Sequence, residues 1–316
     1  MICRRLGAAL VLGLVAVGVV PPPTASAATP TGCGAAATPG VTVQHLTVDG
    51  VDRQYRLSIP SSYRPSTPAP LVFDFHGLGS NMDEQAMYTG LESAAGARGH
   101  VVITPQGRGD LLAHWSIPPL RDTKDDVDFV RAMLATTQGS LCIDADRVFS
   151  TGMSNGAMFS AVLACRLRGQ LAAIAPVAGV NGARTCSRGT PPVSLLAFHG
   201  TEDQVVPYEG GALLSGALPV LSEVEARPVD AVVARWAATG GCRSQATTTS
   251  VAADVERVSY PGCRRGRAVE LVRILGGGHT WPGAFSVLPD RLGSTTESVN
   301  ATSEILDFFD AHPRPS

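Results

Sequence analysis

A serine set between two glycines at a strand-to-helix turn constrains this chain more than any other feature. The run Arg147-Val148-Phe149-Ser150 is short, β-branched and aromatic, as a buried strand is. Residues 157–167 contain neither glycine nor proline, as a buried helix requires. Between them lies Gly152-Met153-Ser154-Asn155-Gly156, a G-x-S-x-G that in this context predicts a nucleophile elbow. The reversal is so tight that a Cβ at either flank would collide with a neighbouring strand or helix, hence the two glycines. Ser154 is thereby lifted to the end of a sheet, beside helix N–H groups that favour developing negative charge. An ordinary glycine-rich turn with a capping serine would explain the five residues but not their flanks.

The rest of the chain supplies the sheet that such a turn needs. Residues 41–48 alternate, Asp49-Gly50 makes a turn, and 53–59 alternate again, the pattern of a hairpin. Residues 71–75 are mostly apolar and end in His76-Gly77-Leu78-Gly79-Ser80. Further strands are expected at 101–103, 171–177, 193–198, 255–260 and 269–275, and helices over 82–97, 122–137, 229–239 and 297–311. Apolar strands alternating with helices predict an α/β fold: a mainly parallel sheet flanked by helices on both faces, with an antiparallel N-terminal edge hairpin. Residues 28–40 read as a loose lead-in and 41–316 as one catalytic domain, without repeats or a long linker.

Residues 1–27 have the form of a secretory signal: Arg4-Arg5, an apolar run over 6–20, and Ala25-Ser26-Ala27 as the cleavage site. That run is short for a bilayer span of about 20 residues. Its removal leaves 23 basic against 27 acidic residues, which argues against nucleic acid or an anionic membrane as partner. Of seven cysteines, Cys3 lies in the signal. The remaining six suggest disulfides in an exported, extracellular protein. Their number leaves the pairing open, but proximity favours Cys242–Cys263 and Cys165–Cys186, leaving Cys33–Cys142. No paired His/Cys spacing suits zinc and no glycine-rich phosphate loop is present, so neither metal nor organic cofactor is expected.

A serine hydroxyl needs a base, and the base needs a carboxylate to orient it. With this turn the order is serine, acid, histidine, each after a strand. Of seven histidines, His199, His279 and His312 follow Ser154. His279, in Gly276-Gly277-Gly278-His279-Thr280-Trp281-Pro282-Gly283, has the right place. The acid is expected at Asp203, in His199-Gly200-Thr201-Glu202-Asp203, with Glu202 as its rival. His199 precedes that acid and so is in the wrong order for the base. His76 reads as a structural strand-end residue. The oxyanion calls for two backbone N–H groups, expected at Asn155 and at Leu78, with Gly79 the alternative to Leu78. Trp115, Trp281 and Tyr208 fall on loops near the expected mouth and are candidate substrate contacts, although packing is the commoner use of such residues.

Together, His76-Gly77, Gly152-Met153-Ser154-Asn155-Gly156, His199-Gly200-Thr201-Glu202-Asp203 and Gly278-His279-Thr280-Trp281-Pro282-Gly283 resemble the secreted polyhydroxybutyrate depolymerase and feruloyl esterase (types B to D) group of α/β-hydrolases. The resemblance runs over about 41–309. It implies Ser154 as nucleophile, Asp203 as acid, His279 as base, the Leu78 N–H in the oxyanion hole, and Trp281 on the acyl pocket. Many members of the group carry cysteine where this chain has Leu78, so a disulfide there is absent. The implied substrates are esters: feruloyl or acetyl groups on xylan, smaller soluble esters, or the polyester of hydroxybutyrate. Lacking a visible polymer-binding module, the chain fits the hemicellulose or small-ester reading better. A serine peptidase of the same fold, or a binding protein that keeps the fold without catalysis, are the readings from other classes. A monomer is expected. Activity is expected to fall below the base's pKa, ordinarily about 6.5.

Overall fold

The computed structural model describes residues 31–109, 112–117, 126–182, 193–213 and 225–315. The expected signal over 1–27 and Cys186 of the expected Cys165–Cys186 bridge lie outside them. Strands β1 (Gly40–Val48) and β2 (Val51–Ile59) form the expected hairpin, pairing antiparallel. Asp49 and Gly50 both take positive φ, 50° and 73°, as the two-residue turn requires. Then come β3 (Ala69–Phe75), α1 (Met82–Thr89), α2 (Leu91–Ala97), β4 (Val101–Pro105) and α3 (Asp126–Ser140). The middle of the chain gives β5 (Ile143–Met153), α4 (Asn155–Arg166), β6 (Ala173–Val177) and β7 (Ser194–Gly200). The two-residue strands β8 (Gly211–Ala212) and β9 (Glu225–Ala226) pair with each other. The chain closes with α5 (Val229–Gly240), β10 (Thr247–Ala252), β11 (Val255–Tyr260), β12 (Val269–Ile274), α6 (Pro289–Leu292) and α7 (Ala301–Ala311).

Ten strands form one sheet in the order β1-β2-β4-β3-β5-β6-β7-β12-β11-β10. From β4 to β12 the pairing is parallel, and both edges are antiparallel. This is the α/β-hydrolase fold. The second antiparallel edge departs from the expectation, because β10 reads Thr-Thr-Thr-Ser and lies exposed, without an apolar alternation to announce it. The helix expected over 82–97 is broken at Gly90, whose φ of 61° ends α1 with a left-handed cap.

Apolar residues on the central strands divide between two faces with period two. Leu71, Phe73 and Phe75 pack with α3, α4 and α5, through residues such as Phe129, Phe159 and Trp236. Val72, Phe149 and Phe198 pack on the other face with α2 and α7, through Leu91, Ile305 and Phe309. Strands buried on both faces leave their carboxyl-terminal loops as the place for polar chemistry. Disulfides Cys33–Cys142 and Cys242–Cys263 staple the lead-in to the start of β5 and the end of α5 to the turn before β12.

Candidate active site

Four loops at the carboxyl ends of β3, β5, β7 and β12 meet at one end of the sheet. Ser154 follows β5 and precedes α4. Its φ of 56° is a left-handed conformation that a non-glycine residue adopts only where the surroundings hold it. A Cβ at Gly152 would lie 2.5 Å from the Phe75 carbonyl oxygen, and one at Gly156 would overlap that oxygen and lie 2.6 Å from the His76 carbonyl. The elbow is therefore pressed against the end of β3, as its two glycines suggested.

The Asp203 and His279 loops are zipped together by backbone hydrogen bonds. Thr201 N–H donates to Ile274 O and Glu202 N–H to Gly277 O, each at 2.9 Å. Gly200 permits this, since a Cβ there would overlap the Gly277 carbonyl. Asp203 Oδ2 then lies 2.8 Å from His279 Nδ1, while Oδ1 accepts from the N–H groups of Val205 and Val206, both at 2.8 Å. Glu202, the rival, is exposed. Burial alone would push the Asp203 carboxyl up. The electrostatic interaction with His279 and the hydrogen bonds from His199 and His279 outweigh it and hold the group well below the usual carboxylate range. An ionised Asp203 accepts from His279 Nδ1–H, leaving the lone pair on Nε2.

Ser154 and His279 line the same cavity, of about 640 Å³. No hydrogen bond joins them here; such contacts commonly tighten once substrate is bound. The remaining wall is mostly apolar, with Met153, Met158, Ile117, Val206 and Leu213 inside and Met87, Leu112, Phe285 and Leu288 exposed at the rim. Among the described residues neither lysine nor arginine lines it.

Leu78 and Asn155 lie on this cavity too. His76 Nδ1 donates to Gly77 O at 2.7 Å, and His76 Nε2 accepts from Gly107 N–H at 2.9 Å. In a trans peptide the N–H points opposite to the C=O, so anchoring Gly77 O also sets the direction of the Leu78 N–H. Asn155 opens α4, where an N–H has no partner within the helix.

The three aromatic candidates need correction. Trp115, Trp281 and Tyr208 are all buried, and none lines the cavity. Trp115 packs on Phe75 and Phe159 and donates its indole N–H to His76 O at 2.9 Å. Trp281 donates to Thr302 on α7, and Tyr208 bonds Asp230 and Arg273. A large ring on a loop near the mouth is still drawn to the core when its polar atom finds a partner there. The rim residues went unnoticed in the sequence because Leu112, Phe285 and Leu288 are isolated apolar residues outside the strands and Met87 points outward from α1, so none carries a periodic signal.

No family model matches the chain. Among curated relatives, it is 30% identical over 278 residues to feruloyl esterase D of Neurospora crassa, covering 82% of this chain and 84% of the relative. It is 29% identical over 286 residues to a putative esterase, NocK, of Nocardia uniformis subsp. tsuyamanensis, covering 85% and 82%. Feruloyl esterase C of Emericella nidulans is 29% identical over 255 residues, covering 77% and 89%. Among solved structures, an acetyl xylan esterase from Aspergillus awamori superposes with a TM-score of 0.55 at 14% identity, over 85% of this chain and 99% of that one, a likeness of fold.

Proposed function

Because this chain belongs to the feruloyl esterase family of carboxylic ester hydrolases, we propose that it is a serine esterase with Ser154 as nucleophile, His279 as base and Asp203 as the acid that orients His279. The observation that carries the assignment is the 2.8 Å contact between Asp203 Oδ2 and His279 Nδ1, with His279 and Ser154 on one cavity wall. In this reading His279 Nε2 takes the Ser154 proton as Oγ attacks the ester carbonyl. The Leu78 and Asn155 N–H groups receive the oxyanion, aided by the N-terminal dipole of α4. His279 then protonates the leaving alcohol and activates water, which releases the acid and frees Ser154.

The preferred substrates are esters of bulky, uncharged acyl groups, hydroxycinnamoyl esters of hemicellulose or small soluble analogues. A wide apolar cavity, with no cation among the described residues that line it, favours them over acetyl, which would fill little of it, and over anionic acyl groups. Polyhydroxybutyrate is the second reading, favoured by the exposed Met87, Leu112, Phe285 and Leu288 around the mouth. We also infer a secretory signal over 1–27 and export of a single domain, which the Cys33–Cys142 and Cys242–Cys263 bridges support. Among the described residues no helix is long and apolar enough to cross a membrane.

Hydrolysis of methyl ferulate, p-nitrophenyl acetate and hydroxybutyrate oligomers by the wild-type chain and a Ser154→Ala variant tests the proposal. Methyl ferulate is expected to give the highest kcat/KM, and Ser154→Ala to abolish turnover of all three. Undiminished turnover by Ser154→Ala would overturn the nucleophile. A preference for the oligomers would overturn the substrate.

A further inference from the structure

His199 has no part in the acyl-transfer steps, yet it touches the group that steers them. It is the penultimate residue of β7, its ring is fully buried, and it packs edge-on against Tyr208 at 5.8 Å between centroids. Its Nε2 lies 2.8 Å from Val206 O and 3.3 Å from Asp203 Oδ2. Both neighbours are acceptors, a carbonyl and an ionised carboxylate, so the ring proton sits on Nε2 and is shared between them. Nδ1 is buried with no hydrogen-bond partner. A residue serving only to fill this space under Tyr208 would not leave a buried nitrogen unsatisfied; the imidazole is accounted for by what its other nitrogen does.

That nitrogen completes a cage around the carboxylate. Oδ1 is held by the N–H groups of Val205 and Val206, and Oδ2 by His279 Nδ1 and His199 Nε2. Val206 is gripped twice, its N–H by Asp203 and its C=O by His199. Without the His199 donor, Oδ2 would be held by His279 alone, the group it is meant to orient, and only the two bonds to Oδ1 would resist a tilt of the carboxylate that carries the base with it.

We propose that His199 is a positioning residue whose Nε2–H clamps the Asp203 carboxylate and the Val206 carbonyl, and so fixes the orientation of His279 toward Ser154. The inference rests on the reading of Asp203 as the triad acid. Its effect falls on kcat, since His199 does not reach the cavity that receives the acyl group.

The test uses the full chain with methyl ferulate, in the variants His199→Phe, His199→Gln, His199→Asn, Asp203→Asn and the double variant His199→Phe/Asp203→Asn. Phenylalanine keeps the ring packing and loses the donor. Glutamine sets its amide nitrogen where Nε2 stood, and asparagine falls short of it. His199→Phe is expected to lower kcat roughly 10- to 100-fold with KM within about twofold, the scale of a misoriented catalytic group. His199→Gln is expected to stay within about threefold of wild type. In the Asp203→Asn background the loss from His199→Phe is expected to vanish, because a shared pathway is not additive. Unchanged kcat in His199→Phe, equal losses in the Phe and Gln variants, or full additivity in the double variant would each overturn the proposal. If His199→Phe fails to fold, the Gln and Asn variants decide it: retention in Gln with loss in Asn supports the clamp, and equal activity overturns it. If Asp203→Asn itself is unimpaired, the triad acid is wrong. If Asp203→Asn is impaired and His199→Phe is not, only the clamp falls.

Discussion

Gly156 stands directly on the carbonyl oxygen of Phe75, at the point where β3 ends and α4 begins. A methyl group at Gly156 would overlap that oxygen and crowd the His76 carbonyl at 2.6 Å, and both obstacles are backbone. Gly156→Ala is therefore expected to cost roughly 3 kcal/mol or more, the upper range for overpacking, and to abolish ester hydrolysis by displacing Ser154. Gly139→Ala is the control, since its Cβ would meet nothing within 4 Å on the exposed side of α3. It should leave activity unchanged and stabilise by about 0.5–1 kcal/mol. Denaturant titration and turnover of p-nitrophenyl acetate distinguish the two.

Asn155 grips the backbone of Trp115 from both sides, accepting from its N–H at 2.7 Å and donating to its C=O at 3.3 Å. Trp115 in turn holds His76 O. Asn155→Ala keeps the backbone N–H at that position but leaves a buried N–H of Trp115 unpaired. The expected loss is about 1–3 kcal/mol of stability, read by chemical denaturation. A kcat reduced about tenfold should accompany it, since each factor of ten is about 1.4 kcal/mol of barrier. Wild-type stability in Asn155→Ala would refute the strap.

Two buried groups near the end of β3 give opposite dependences on pH. Burial lowers His76 from its ordinary 6.5 to about 4, so the folded chain binds fewer protons there than the unfolded chain. Its contribution is complete above pH 6.5 and is lost as pH falls toward 4. Burial raises Asp74 from 3.8 to about 7, against the hydrogen bonds from Gln85 and Thr89. Its contribution is complete below pH 3.8 and is lost as pH rises toward 7. The two slopes oppose each other, and removing one group should expose the other. Asp74→Asn should lose roughly 3 kcal/mol more than wild type on going from pH 6.5 to 4. His76→Gln should lose roughly 3 kcal/mol more than wild type on going from pH 4 to 7. Parallel stability–pH curves for the two variants would contradict these assignments.

Cys33–Cys142 closes a loop with a sequence separation of 109 and ties the lead-in to the first residues of β5. The same junction has a Gly32 N–H to Gln138 O bond at 2.9 Å. Cys33→Ser/Cys142→Ser is expected to lower stability by about 3–5 kcal/mol, as for long loops generally. The active site is distant in the fold from this bridge, at the other end of β5, so kcat/KM at low temperature should hold. A fall in kcat/KM without a fall in the melting midpoint would show that the bridge acts on the site rather than on the folded state.

Much of this protein was legible in its sequence because the signals were local. The parallel sheet came from apolar runs alternating with helices, and the hairpin from Asp49-Gly50. The elbow came from two glycines whose need is steric, and the Asp203–His279 pairing from the order of residues along strand ends. Side-chain destinations were decided by tertiary packing instead. Trp115, Trp281 and Tyr208 sit on loops that point toward the mouth, but each found a buried partner for its polar atom and left the cavity to Met87, Phe285 and Leu288. His199 was set aside for its place in the chain order, and only the folded loop put its Nε2 against Asp203. Spacing along a chain specifies which loop end a residue occupies; which atoms it meets depends on how the folded loops pack, whether the partner is near in sequence, as Asp203 is to His199, or far, as His76 is from Trp115.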